Sequence, residues 1–113
     1  MKLEFWTAMN PSPEHAARFA TWAEQVGWDG VAVYDSQNIF ADCYVALAIA
    51  SSATQSLGLS TGVTNPFTRH PATAACAIAS IQQASGGRAV LGIGRGNSAL
   101  AHVGRGPVYM EMF

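Results

Sequence analysis

The residues of this chain best suited to chemistry stand at the ends of its apolar runs. Asp35 closes the run Gly30-Val31-Ala32-Val33-Tyr34. A run that apolar and that short reads as a parallel strand buried on both faces. The carboxylate at its end should therefore emerge at the C-terminal rim of a sheet, where α/β enzymes keep their reacting groups. On position alone, a helix cap or a partner for a nearby amide is an equally good reading of Asp35. Gly58, Gly62, Gly92 and Gly94 fall within or beside two later runs. Glycine weakens a strand unless backbone must approach a ligand or bend, but a crowded barrel interior that needs small residues gives the same pattern. Gly94-Arg95-Gly96-Asn97-Ser98-Ala99 has the spacing G-x-G-x-x-G/A between strand and helix, a geometry in which backbone amides attract phosphate. It closes the fourth strand rather than the first, and no acidic residue can be placed on a following strand, which argues against a Rossmann-type dinucleotide fold. His70 and His102 are the titratable candidates near the rim, and a structural hydrogen bond is the favoured reading of both. Trp6, at the end of the first strand, either walls a ring-binding pocket or packs in the core.

The elements that must position these residues follow from hydrophobic period and punctuation. Leu3 to Ala8 is β-prone, and Ser12-Pro13 then predicts a capped helix running to Val26, with Gly27 as its left-handed C-terminal cap. After the strand ending at Asp35, Asp42 is placed to cap a second helix that runs to about Thr54. Leu57 to Thr64 reads as strand three and Asn65 to His70 as a loop, with Pro71 opening a helix that Ser85-Gly86-Gly87 breaks. Arg88 to Ile93 is strand four, and Ser98 to Val103 starts a fourth helix. The order βαβαβαβ(α) implies a parallel sheet with right-handed crossovers, either half of a barrel or an open doubly wound sheet. Loops leading into helices are long and polar and those returning to strands are short, which locates a site at the strands' C-terminal ends in either architecture.

Composition excludes several classes. Six basic and seven acidic side chains leave a net charge of −1 in 113 residues, with no basic cluster to track phosphates, so a nucleic-acid partner is not expected. No run of about 18 apolar residues and no secretory signal pattern is present, so a cytoplasmic protein without a membrane partner is expected. Cys43 and Cys76 lack metal-ligand or disulfide spacing and read as small buried thiols, and no metal site is expected. Trp22 and Trp28 read as core.

Four segments in order, each at or near a strand end, carry a family resemblance: Leu3-Glu4-Phe5-Trp6-Thr7-Ala8, Val33-Tyr34-Asp35-Ser36-Gln37-Asn38, Thr61-Gly62-Val63-Thr64-Asn65-Pro66 with Thr68-Arg69-His70-Pro71, and Ser85-Gly86-Gly87-Arg88-Ala89-Val90-Leu91-Gly92-Ile93-Gly94. Together they resemble the luciferase-like flavin and deazaflavin oxidoreductases, within them the branch of coenzyme F-420-dependent methylenetetrahydromethanopterin reductases. The resemblance implies an α/β fold, the N-terminal half of a TIM (β/α)8 barrel, with residues 1–113 supplying strands one to four. It implies hydride transfer between a deazaflavin of the F-420 type and a small organic substrate or, alternatively, an FMN-dependent monooxygenase. By the same resemblance the Gly62-Val63 peptide is a non-prolyl cis bond backing the cofactor ring. Trp6, Asp35, Thr61, Asn65, Gly94, Arg95, Gly96 and Ser98 join those two around the cofactor, and Asp35 and Asn97 stand at the reacting atoms. Relatives commonly carry an acidic residue at position 97, and an amide cannot serve as a general acid. Four strands leave two unpaired edges. A truncated chain is therefore expected to bind cofactor weakly or not at all and to show no turnover, and to form a homo-oligomer or stand as a non-catalytic half-barrel.

Overall fold

The computed structural model describes residues 1–113. Its elements run β1 (Trp6–Met9), α1 (Ala16–Val26), β2 (Gly30–Val33), α2 (Cys43–Ala53), β3 (Gly58–Thr61), α3 (Pro71–Ala84), β4 (Ala89–Val90) and α4 (Asn97–His102), with a single 3-10 turn at Met110–Met112. Local chemistry explains most of the boundaries. Gly27 ends α1 at φ 98°, in the left-handed region, and its N–H reaches back to the carbonyls of Ala23 and Glu24. The carboxylate of Asp42 accepts from the amides of Tyr44 and Val45 at the start of α2. At α3 the Nδ1 of His70 accepts from the amide of Ala72, and Pro71 fills the first helical position. The start of α1 differs from the expectation. The carbonyl of Ser12, rather than its hydroxyl, takes the amides of His15 and Ala16, so the segment from Pro13 forms a turn and the helix begins at Ala16.

The four strands are parallel and ordered β1-β2-β3-β4. Register aligns Trp6 with Gly30 and Gly30 with Gly58 at one end, and Met9 with Val33 and Val33 with Thr61 at the other. Right-handed crossovers between strands in strictly sequential order put every helix on the same face, as a barrel requires and a doubly wound sheet does not. The core lies between that face and the helices: Val31, Val33, Leu59, Leu47 and Ala50 are completely buried there. The other face has no second layer, and Ala8 and Val90 are exposed on it. Strand four keeps only a two-residue ladder plus one bridge between Thr64 and Ile93, shorter than its apolar run suggests.

Trp22 is exposed and lies against Phe19 on the free side of α1, with ring centroids 5.3 Å apart, whereas Trp28 packs on the core as expected. Cys43 is buried, but Cys76 lies exposed on α3, which corrects its reading as a buried thiol. No helix is long and apolar enough to cross a membrane.

Candidate functional site

Just beyond the C-terminal ends of β2, β3 and β4 lies a cleft of about 310 Å³, lined by Tyr34, Asp35 and Ser36, by Gly62 and Val63, and by Arg95 to Ala99. That volume is at the lower bound of ligand pockets, roughly 300–1,000 Å³. The first two walls directly follow β2 and β3, and the third spans the loop after β4 and the start of α4. After Thr61, β3 leaves the ladder, the Gly62–Val63 peptide bond is cis, and the chain rejoins β4 through Thr64. Val63 is left 47 % exposed and forms an apolar floor.

Behind the cleft the charged groups are paired. Asp35 is buried, and its two carboxylate oxygens accept four hydrogen bonds. Oδ1 takes Gln37 Nε2 (2.8 Å) and Arg69 Nη2 (3.1 Å), and Oδ2 takes the Thr64 hydroxyl (2.7 Å) and Arg69 Nε (3.0 Å). A carboxylate has about four acceptor positions, so Asp35 has none left with which to take a substrate proton. Nη2 of Arg69 also donates to Asp42 Oδ2 at 2.8 Å, and its guanidinium carbon lies 4.7 Å from the centre of the Tyr44 ring. Burial alone would lower the pKa of Arg69, but the hydrogen bonds to Asp35 and Asp42 hold it above its ordinary value. Burial likewise pushes Asp42 up, and the bonds it accepts from Arg69 and from the Val45 and Tyr44 amides more than offset it, leaving this carboxyl below the usual range. Burial raises both Cys43 and Tyr44, and the Tyr44 hydroxyl has no hydrogen-bond partner.

The other expected residues divide into two groups. Arg95, Gly96, Asn97, Ser98, Gly62 and Val63 come together on the cleft. Thr61 and Asn65 do not reach it. The Thr61 hydroxyl donates to the Gly92 carbonyl at 2.7 Å and accepts from the Gly92 amide at 3.0 Å. Asn65, fully buried, accepts from the amides of Phe67 and Thr68 and donates to the Thr68 hydroxyl. Both brace the loops that form the floor and wall. Gly94 sits behind Val63, where a Cβ would come within 2.8 Å of a valine methyl. A Cβ on Gly92 would strike the Thr61 carbonyl, and one on Gly62 would come within 2.7 Å of Ala32. Close packing within the fold therefore accounts for the strand glycines.

Trp6 corrects an expectation. It is the first residue of β1, in register with Gly30, and its ring lies over Gly30 and Gly58, where any Cβ would collide with it. That is the N-terminal end of the sheet, about 10 Å from the rim at roughly 3.3 Å per strand residue. Its ring cannot wall a pocket at the opposite end.

The rim loops are tied together across the top. Asn38, at φ 67°, donates to the His102 carbonyl, Arg105 donates to the Phe67 carbonyl, and Tyr34 stacks on Phe40 at 5.6 Å. Nδ1 of His102 lies 2.8 Å from the Ser98 carbonyl, and His70 caps α3, so both histidines are engaged within the fold. Sequence reasoning did not single out Arg69, Tyr34 or Ser36 as site residues. Arg69 could have been found by asking which cation balances a carboxylate at the end of a buried strand.

In front of this braced layer, the side chains of Ser36, Arg95, Asn97 and Ser98 face the cleft without an internal hydrogen bond. An apolar floor edged by free donors suits a flat ligand with acceptor oxygens or an anionic group at its margin.

Residues 4–107 match the family described as luciferase-like monooxygenase. A 5,10-methylenetetrahydromethanopterin reductase of Methanolobus tindarius is 46 % identical over 83 residues, 74 % of this chain and 25 % of that protein. The coenzyme F420-dependent tetrahydromethanopterin reductase of Methanopyrus kandleri superposes with a TM-score of 0.85 at 31 % identity, covering 92 % of this chain and 30 % of its own. The oxygenating constituent of 3,6-diketocamphane monooxygenase from Pseudomonas putida, in complex with FMN, superposes at 0.76 with 22 % identity over 93 % of this chain and 34 % of its own. The chain thus spans about a quarter of the length of the curated relative and about a third of each solved structure.

Proposed function

The chain belongs to the luciferase-like monooxygenase family, and from that premise we propose that its cleft receives the ring of a deazaflavin of the coenzyme F-420 type, in an oxidoreductase that moves hydride between that ring and a small organic molecule. The observation that carries the reading is the cleft itself, a floor of Gly62 and Val63 edged by four side chains with no partner inside the protein. These residues fit a planar ring: an exposed valine face and a residue without a side chain meet its plane, and Arg95, Ser98 and Ser36 meet its polar margin. About 310 Å³ suits the ring and leaves the cofactor's tail to be held by other parts of the protein. When bound, such a ring supplies the atom that gives or takes hydride. The chain's own residues position and polarise. Asp35 is a fixed wall, Arg95 opposes negative charge, and Asn97 can donate or accept a hydrogen bond at the reacting edge without delivering a proton.

The F-420 assignment is supported by the names of the more identical relatives. FMN is the second reading, because a floor of backbone and one valine does not discriminate between two rings of the same outline. Self-association belongs to the same proposal, supported by the exposed apolar side chains of Trp22, Val26, Leu91 and Ile93. Titration of ¹⁵N-labelled chain with coenzyme F-420 and with FMN tests the reading. Weak saturable binding is expected, with amide shifts confined to Gly62, Val63 and Gly96 to Ala99. Indifference to both cofactors would favour a non-catalytic half-barrel.

A further inference from the structure

Only two of the residues lining the cleft are charged, Asp35 and Arg95. Left to themselves they would cancel, and a ligand would meet a neutral wall. Arg69 changes that balance from a position outside the cleft. It gives Asp35 two charge-assisted bonds, at 3.0 and 3.1 Å, and is held in place by Asp42 and by the Tyr44 ring. The Asp35 and Arg69 side chains are only 2 % and 16 % exposed, so water screens the pair poorly and its two charges offset each other. The Asp42 side chain is 45 % exposed, and solvent and salt damp its field. Arg95 is exposed, and its charge is compensated by no group in the chain.

We propose that Arg69 is a positioning residue that sets the charge of the cleft: by neutralising Asp35 from behind, it leaves Arg95 free to receive an anionic oxygen group of a ligand. The inference rests on the reading of this cleft as a ligand site. It also assigns a function to Thr68-Arg69-His70-Pro71 beyond starting α3. Asp35, two charged neighbours and a stacked aromatic ring form one unit, in which the Arg69 charge offsets that of Asp35.

The test is calorimetric and NMR titration of the 113-residue chain with inorganic phosphate, a probe that contains no ring. Wild type should show weak, saturable binding that shifts the amides of Gly96 and Asn97 and is abolished by Arg95→Gln. Arg69→Met should weaken that binding roughly three- to tenfold, the effect of one uncovered charge at partial screening. Arg69→Lys should retain most of it. Removing Asp35 as well, in Asp35→Asn/Arg69→Met, should restore the affinity to within about twofold of wild type, a rescue that general structural damage would not show. If Arg69→Met does not fold, Asp35→Asn alone decides, because releasing the Arg69 charge should tighten phosphate. Absence of Arg95-dependent phosphate binding, an unaltered affinity in Arg69→Met, or a double variant no better than the single would overturn the proposal. Should phosphate behave as described while neither F-420 nor FMN binds, the charge assignment stands and the cofactor reading falls.

Discussion

Arg88 at one end of the sheet and Arg95 at the other use their charge in opposite ways. At the N-terminal end, Arg88 spends its guanidinium entirely on the protein: Nε donates to the Ser85 carbonyl, Nη1 to the Thr54 hydroxyl and the Leu57 carbonyl, and Nη2 to the carbonyls of Ser51 and Thr54. Nearby, the carboxylate of Glu24 gathers the amides of Gln55, Ser56 and Leu57 and the Ser56 hydroxyl. Both act as clamps on the turn between α2 and β3. At the C-terminal end, Arg95 makes no such bond, and Ser36, Asn97 and Ser98 are equally free. With one arginine satisfied at one end and another open at the other, the residues that hold the fold and those of the proposed ligand site lie apart along a single strand direction.

The separation can be broken first at Arg88. Arg88→Met strands buried carbonyls at Ser51, Thr54 and Leu57, and a loss of about 3 kcal/mol in urea-unfolding stability is expected. A loss below roughly 1 kcal/mol would mean that the clamp is ornamental.

Next comes Gly96→Ala. Position 96 lies at φ 72°, where an L side chain is strained, and its Cβ would collide with the side chain of Asn65. About 2 kcal/mol of stability should be lost. The Phe67 and Thr68 amides should also exchange faster, because they bond to the displaced Asn65.

Glu24→Gln should cost about 1 kcal/mol, and Glu24 also gives a pH signature. Partial burial would push its pKa up, but the backbone donors hold it below its ordinary 4.5. A depressed folded-state pKa means the unfolded chain takes up the proton more readily. The stabilisation is therefore complete above about pH 4.5 and disappears as pH falls through the lowered value. Wild type minus Glu24→Gln stability, measured from pH 7 to pH 2.5, should shrink toward the acid end. A difference independent of pH would contradict the assignment.

Smallest of all should be the stability effect of Arg95→Gln, within about 0.5 kcal/mol because the side chain is exposed and makes no internal bond. The two arginines thus predict opposite phenotypes: loss of Arg88 weakens the fold, and loss of Arg95 silences the cleft.

What the sequence made legible was local. Asp42 as a cap, Pro71 at a helix start, Gly27 at a helix end and the alternation of strands with helices all depend on neighbours within a few residues, and all appear in the structure. Strand register is not local. The run from Leu3 reads as a strand, but pairing with β2 begins at Trp6, and that shift carries the tryptophan to the wrong end of the sheet for a cofactor wall. Likewise the pairing of Asp35 with Arg69 spans 34 residues and follows only from strand order. Residues 95 to 98 were legible as a cluster because a loop between one strand and one helix keeps them together, whereas the bracing roles of Thr61 and Asn65 required the partner strand and loop to be seen.

The central claim is that the floor at Gly62 and Val63 and the free edge from Arg95 to Ser98 form one ligand site. It is tested most directly by titrating ¹⁵N-labelled chain with coenzyme F-420 and recording which amides move. Saturable shifts at Gly62, Val63 and Gly96 to Ala99, weakened by Arg95→Gln at unchanged stability, are the predicted result; shifts at the N-terminal end around Trp6, or none at all, would contradict it.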